Sequence, residues 1–275
     1  MQHPMSYSGD DIQIYSSNNS FYVRKTYKNI SKGIVSFRKQ NSFLPINVSN
    51  VALSSVPVIG CNLGDKSISI EMPYVSGASG VDLMTMGHVL SAKNLSSLLS
   101  MYTGRLISIS TDKDLNVEPA LLKINEVKKK SSDEWSSIID KSVERICLLN
   151  SSAKVPVCEC HGDLTLSNII ALSSSCFYLI DFSSTVYESV LSDIVKLEQD
   201  LFYGWSARFS GAAKMADSSV FGRHAYPLIA NHIKKEYKSA YMLISILNYL
   251  RIIPYVKDDV TLKWVKKIIT HLISL

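Results

Sequence analysis

"CECHGDLTLSNIIALSSSCFYLIDFSS", residues Cys158 to Ser184, gathers His161, Asp163, Asn168 and Asp181 between two apolar runs in a serine-rich stretch. The runs "VPVCEC" (155–160) and "CFYLIDF" (176–182) have strand length, and each ends at one of these polar groups. A single Asp or Asn at a strand end is ordinarily a turn or cap residue. An ordered set of them is different. Asn168 follows Asp163 by five residues, and Asp181 follows Asn168 by thirteen. A carboxylate such as Asp163 can orient a hydroxyl or amine and take its proton. Magnesium is a hard cation that prefers oxygen, so the Asp181 carboxylate and the Asn168 amide oxygen suit a metal that bridges phosphates. His161 is expected to pack and hydrogen-bond behind that metal-binding turn.

The spacing from His161 to Asn168 is that of the H-R-D-x-x-x-x-N catalytic loop, with Gly162 in place of the arginine, and "DFS" at Asp181 stands where protein kinases have D-F-G. "HGDLTLSNII", "LIDFSS" and "SDIVKLEQDL" together resemble the aminoglycoside phosphotransferase and choline kinase-like family, the small-molecule branch of the protein-kinase-like fold. Its signature, H-G-D-x-x-x-x-N and then a strand ending in I-D-[FW], is met by His161, Gly162, Asp163, Asn168, Ile180, Asp181 and Phe182. The strong motifs cover Val157 to Leu201, while the N-terminal strands agree in order and weakly in sequence.

The resemblance implies an α+β, two-lobed kinase-like fold. Residues 1–75 would form a small antiparallel-sheet N-lobe with one helix, and residues 76–275 a larger, mainly helical C-lobe with the catalytic loop and acceptor pocket. It also implies ATP and magnesium as cofactors, Asp163 as the catalytic base, and Asn168 and Asp181 as metal ligands. Asp193 matches the family's acidic residue that braces the catalytic loop by accepting backbone hydrogen bonds. The family's strand lysine, which reaches the ATP phosphates, falls on Lys25 in "FYVRKTY", with Arg24 on the opposite face as competitor. The family pairs that lysine with a glutamate on the next helix, yet "NISKGIVSFRKQNSFL" (29–44) contains no acidic residue. Either Gln40 holds Lys25 by a hydrogen bond, or the lysine is held otherwise. "SIEMPYVSG" resembles the hinge, where the backbone of Met72, Tyr74 and Val75 would meet the adenine edge. Asp200, Tyr203, Trp205 and Arg208 fall where the family builds its acceptor pocket. Arg251 adds a cation on an apolar helix. An internal ion pair is the expected role for it, with an anionic acceptor as the alternative.

Upstream, "IQIYSS" and "FYVRKTY" predict a hairpin closed without glycine at Asn18 and Asn19. A helix follows, with Ile30, Ile34, Phe37 and Leu44 at helical intervals and Pro45 as its stop. Two strands, "VPVIGCNLG" and "SISIEMPYV", come next, and "SGASG" (76–80) reads as a hinge. From Asp82 to Asn150 the pattern is helical, each segment opened by an acidic residue. Beyond the second apolar strand, three further helical segments close the chain.

The composition removes several classes of function. Of the 275 residues 46% are hydrophobic, ample for a sizeable core, and mean hydropathy is +0.10. The most apolar segment, "AYMLISILNYLRIIPYV" (240–256), contains Asn248, Arg251 and Pro254 and falls short of the roughly 20 clean residues of a spanning helix, so it reads as a buried helix. The net charge of +5 is spread out, apart from Lys128 to Lys130 and the last helix, which argues against nucleic acid as a partner. Cys61, Cys147, Cys158, Cys160 and Cys176 are odd in number and read as buried thiols in a reducing cytoplasm. "MQHPMSYSGDD" lacks the basic and apolar regions of a signal peptide, so the expected compartment is the cytoplasm. His3, His88, His224, His232 and His271 have no metal-ligand spacing, and Trp135 and Trp264 read as packing.

The expected partner is a small-molecule acceptor carrying a hydroxyl: a sugar, an amino alcohol or a cell-envelope or polysaccharide precursor. The run from Asp181 to Trp205 is similar to kinase-like proteins of bacterial polysaccharide loci. An aminoglycoside is disfavoured, since it is polycationic and the chain is basic with few carboxylates in its final third. ATP and GTP stay open, as does the oligomeric state. The absence of an activation segment and an A-P-E element argues against a protein kinase. The alternative is a degenerate kinase-fold module that binds nucleotide or serves as a scaffold without turnover.

Overall fold

The computed structural model describes residues 10–149, 152–206 and 215–275. Strands β1 (Asp11–Ser17) and β2 (Ser20–Tyr27) pair antiparallel around Asn18 and Asn19, whose φ angles are 48° and 59°. Two successive left-handed residues make the hairpin turn whose twist matches the strands, and asparagine tolerates that region better than other side chains. Strand β2 also pairs with β6 (Ile68–Pro73), and β6 with β5 (Gly60–Leu63), giving an antiparallel sheet of order β1-β2-β6-β5. Tyr27, Val56, Ile68, Ile70 and Met72 form a small core on one face of this sheet.

Helix α1 (Ile30–Ser42) covers that core, capped by the Asn29 side chain, which accepts from the Lys32 amide. The face it buries is not the apolar one that the sequence pattern predicts. Gly33, Ser36, Lys39 and Gln40 are buried, while Ile34 and Leu44 are exposed. Gly33 allows the close approach, since a Cβ there would lie 3.1 Å from the Tyr27 Cβ and nearer still to Ile68. The polar groups then find partners: Ser36 Oγ and Tyr27 OH lie 2.8 Å apart, and Gln40 Nε2 donates to the Val56 carbonyl at 2.8 Å.

Strands β3 (Ile46–Val48) and β4 (Val51–Ser55), unmarked by the sequence pattern, belong to a second sheet with β7 (Ala78–Ser79), β10 (Ile169–Ser173) and β11 (Cys176–Leu179). Its order is β3-β4-β11-β10-β7, with β4 and β11 parallel from Ala52–Cys176 to Ser55–Leu179. Strands of the N-terminal segment thus carry the strand that leads to Asp181. "SGASG" is no hinge. Its residues Ala78 and Ser79 pair with β10, and a Cβ on Gly77 or Gly80 would lie 2.4 Å from the Ala171 carbonyl oxygen or 2.7 Å from that of Leu166. Small residues are needed there for close crossing, not for freedom.

The rest is mainly helical: α2 (Gly80–Thr85), α3 (Val89–Ile109), α4 (Glu118–Lys129) and α5 (Ser136–Cys147), with β8 (Thr111–Asp114) pairing β9 (Lys154–Val157). Five helices rather than three then follow among the described residues: α6 (Val190–Leu201), α7 (Met215–Ala225), α8 (Ile229–Glu236), α9 (Lys238–Leu250) and α10 (Asp259–Ser274). Helix α9 is buried along most of its length, as its apolar sequence requires. Among the described residues no helix is long and apolar enough to cross a membrane. The two nearby thiols, Cys158 and Cys160, are buried, but Cys61 and Cys147 are exposed, contrary to expectation, and all five cysteines are free.

Gly77→Ala separates a pinned crossing from a hinge. Thermal unfolding is expected to show a loss of about 1–3 kcal/mol, since the neighbouring backbone oxygen has to move. A flexible hinge would show no loss, or a slight gain from reduced unfolded-state entropy.

Candidate active site

The loop from His161 to Asn168 is held by one face of α6. Asp193, fully buried in the first turn of that helix, accepts from the His161 amide (2.8 Å), the Gly162 amide (2.8 Å) and the Tyr102 hydroxyl (2.6 Å). Burial pushes its carboxyl up from the ordinary range, against the pull of these donors. Asp200, two turns on, is also fully buried and accepts from the amides of Leu166 (2.6 Å) and Ser206 (2.7 Å) and from the Ser206 hydroxyl (2.8 Å). Its oxygens are spent on bracing the loop, which corrects its assignment to an acceptor pocket. Between them Lys196 reaches Asp163, with Nζ 3.1 Å from Oδ1. Positions 193, 196 and 200 fall on one helical face, which is how one helix serves three points of one loop.

Gly162 has φ 88°, and a Cβ there would lie 2.0 Å from the Ser183 carbonyl oxygen, so no arginine fits. The close contact goes with a hydrogen bond from the Ser183 amide to the His161 carbonyl at 2.9 Å. The His161 ring is fully buried, 4.3 Å from the Phe182 ring. Its Nδ1 accepts from the Asp163 amide at 3.2 Å, so the proton sits on Nε2, which donates to the Ile180 carbonyl at 2.9 Å. Burial lowers its pKa and keeps it neutral. His161 is thus a brace between the two motif segments.

The Ile180 amide donates to the Asn168 carbonyl at 3.1 Å, which brings the end of β11 against the loop. Asn168 Nδ2 donates to the Asp163 carbonyl (2.8 Å) and to Asp163 Oδ2 (3.1 Å), which leaves the side-chain oxygen of Asn168 for a cation. Asp181 has φ 64°, a left-handed conformation unusual for a side chain other than Asn or Asp. One carboxylate and one amide oxygen make the short protein donor set that magnesium takes, with phosphates and water filling the other positions. The residues present fit the metal. Burial raises the Asp163 carboxyl, but the adjacent Lys196 ammonium, with Arg251 adding to its pull, brings the group below the usual carboxylate value.

Lys25 is buried and forms an ion pair with Asp181, and its Nζ lies 4.9 Å from the centroid of the Tyr27 ring. Arg24 points to the other face, where it pairs with Glu71 at 2.6 Å. Gln40 does not hold Lys25: the lysine ammonium is on Asp181, while the Gln40 amide donates to the Val56 carbonyl and the Met72 sulfur. What α1 supplies is a lysine. Lys39, buried, donates to Glu188 Oε2 (2.6 Å) and to the Ser183 carbonyl (2.7 Å), tying α1 to the segment after Asp181. Along the expected hinge Met72 is buried, the Tyr74 amide donates to the Phe21 carbonyl at 2.9 Å, and Pro73 has no N–H. Val75 holds the next amide.

Tyr203 and Trp205, expected in the acceptor pocket, pack in an aromatic cluster: Tyr203 against Tyr249 at 5.7 Å, Trp205 against Trp264 at 5.4 Å. Arg208 lies outside the described residues. The cleft beside Asp163 is lined instead by Gly162, Tyr187, Lys196, Asn248 and Arg251. Arg251, at the C-terminal end of α9, makes no ion pair among the described residues, so the expected internal partner is not found. Lys196 escaped the sequence reading, although its place three residues after Asp193 was the available signal.

No family model and no curated protein sequence matches the chain. Solved structures do. A ligand-free thermostable mutant of aminoglycoside phosphotransferase APH(4)-Ia superposes over 99% of this chain and 93% of its own, with a TM-score of 0.66 and 11% identity. Spectinomycin phosphotransferase APH(9)-Ia, in complex with ADP and spectinomycin, matches over 99% and 90% (TM-score 0.51, 11% identity). ADP-bound APH(2'')-Ib matches over 96% and 92% (TM-score 0.50, 17% identity). The fold of this chain is therefore that of the aminoglycoside phosphotransferases, an α+β kinase-like fold with a small antiparallel-sheet region and a larger helical one.

Lys196→Met leaves the burial of Asp163 without its nearest cation. A 13C NMR titration of the Asp163 carboxyl is expected to move upward, with Lys196→Arg staying near the wild type.

Proposed function

We propose that this chain is an ATP- and magnesium-dependent kinase that transfers the γ-phosphoryl group to a hydroxyl of a small metabolite. The observation that carries this reading is the meeting of Asp163, Asn168 and Asp181 through the Ile180–Asn168 backbone bond, with Lys25 already on the Asp181 carboxylate. Support comes from the fold and from the ADP found in two of the matching structures.

In this reading the acceptor oxygen attacks the γ-phosphorus, and the bond from that phosphorus to the bridging oxygen breaks, ADP leaving with the electron pair. Asp163 orients the hydroxyl and takes its proton. Lys196 keeps the carboxylate ionised for that task. Lys25 passes from Asp181 to the nucleotide phosphates, which frees the Asp181 carboxylate to hold the metal together with the Asn168 oxygen. Magnesium, when bound, neutralises charge on the β- and γ-phosphates. The Val75 amide is the donor left for the adenine edge, since Pro73 has none and that of Tyr74 is used. The five free cysteines accord with a reducing, cytoplasmic setting.

One feature favours the second reading, a nucleotide-binding module without turnover: α1 offers Lys25 no carboxylate. One assay separates the two. ADP release in a pool of metabolites is expected from the wild type with ATP and magnesium, and Asp163→Asn is expected to lower it by about 100-fold or more while stabilisation by ATP and magnesium persists. Equal, negligible release from both proteins, with stabilisation intact, supports the module.

A further inference from the structure

The cleft between α6 and α9 opens beside Asp163 and carries two cations. Lys196 sits 3.1 Å from the Asp163 carboxylate, and Arg251 lines the same cleft. No carboxylate lines the cleft apart from the neighbouring Asp163, and among the described residues none pairs with Arg251. A half-buried guanidinium without an anion is costly, and its planar fork of donors matches a phosphate or carboxylate. Lys196 has three donor positions and uses one on Asp163. Asn248 of α9, which also lines the cleft, donates its amide to Gln199 at 2.7 Å, which leaves its oxygen to accept from a hydroxyl. A cationic acceptor would meet like charge at this wall, whereas an anionic one completes it.

We infer that the acceptor is an anionic small molecule, a polyhydroxylated phosphate monoester or carboxylate, whose anionic group is held by Arg251 with Lys196 between it and Asp163. This rests on the kinase reading and names its substrate class. Arg251 gives affinity and selects charge, Lys196 sets the acceptor beside the base, and Asn248 reads a hydroxyl of its body. The same wall turns away aminoglycosides, although the fold is theirs.

Ligand-observed NMR with AMP-PNP and magnesium present tests it, the probes being glucose 6-phosphate, glucuronate, neutral glucose and cationic glucosamine. The expected result is binding of one or both anionic probes, weakened about tenfold or more in Arg251→Gln and partly restored in Arg251→Lys, which keeps the charge but not the fork. Binding by glucose 6-phosphate alone assigns the phosphate class, and by glucuronate alone the carboxylate class. Three outcomes overturn the inference: no binding of either anion, binding of glucose or glucosamine as tight as theirs, or anion binding unchanged in Arg251→Gln. Stabilisation by AMP-PNP with magnesium is measured alongside. It shows that each variant is folded, and its loss in the wild type while anions still bind would strike the kinase reading but not the anion subsite.

Discussion

One buried carboxylate organises the site. Asp193 takes the amides of His161 and Gly162 together with the Tyr102 hydroxyl, and without it the buried Gly162 amide would be stranded at about 1–3 kcal/mol and the His161 amide left with the Tyr102 oxygen alone. That cost exceeds the net worth of an ordinary hydrogen bond, so the loop cannot leave the helix cheaply. Asp200 repeats the arrangement at Leu166, and Lys196 fixes the side chain of Asp163 between the two. The geometry of the loop is thereby copied from the most regular object available, one face of an α-helix.

From that anchor the remaining contacts run outward. His161 links the loop to Ile180, and the Ser183 amide returns to His161, so the turn at Asp181 is positioned by the loop rather than by its own strand alone. Strand β11 is held in turn by its parallel pairing with β4, and Lys39 of α1 reaches Ser183 and Glu188. The N-terminal elements are therefore coupled to the turn at Asp181 by a sheet and by a buried lysine. In the arrangement implied by the resemblance, a helix carboxylate holds the strand lysine. Here Asp181 and the face of Tyr27 do so, and α1 carries the opposite charge.

Much of this was legible. The order His161, Asp163, Asn168, Asp181 marks the residues that the fold brings together, and the Asn18–Asn19 turn declares itself by turn chemistry. Strands β3, β4 and β10 were not legible, because segments of three to five residues have too few positions to show an alternation, and β4 is defined by a partner more than a hundred residues away. The inner face of α1 was misread because Gly33 brings the helix so close that small and polar groups fit where Ile34 does not. "SGASG" misled for a related reason, since glycine serves both freedom and close approach. Asp200, Tyr203 and Trp205 were placed by position along the chain, which does not say whether a side chain turns to the cleft or to the core. Arg251 was given an internal partner on general grounds of burial, and only the packing of α9 against α6 shows it lining the same cleft as Lys196.

The central claim is that Asp181 and Asn168 hold a magnesium nucleotide against the loop that α6 fixes. Calorimetric binding of AMP-PNP, with and without magnesium, to the wild type and to Asp181→Asn tests it most directly. The account predicts that magnesium tightens binding to the wild type by about tenfold or more and that this gain is lost in Asp181→Asn. Binding of AMP-PNP that is equally tight with and without magnesium, or a gain that survives the substitution, would contradict it.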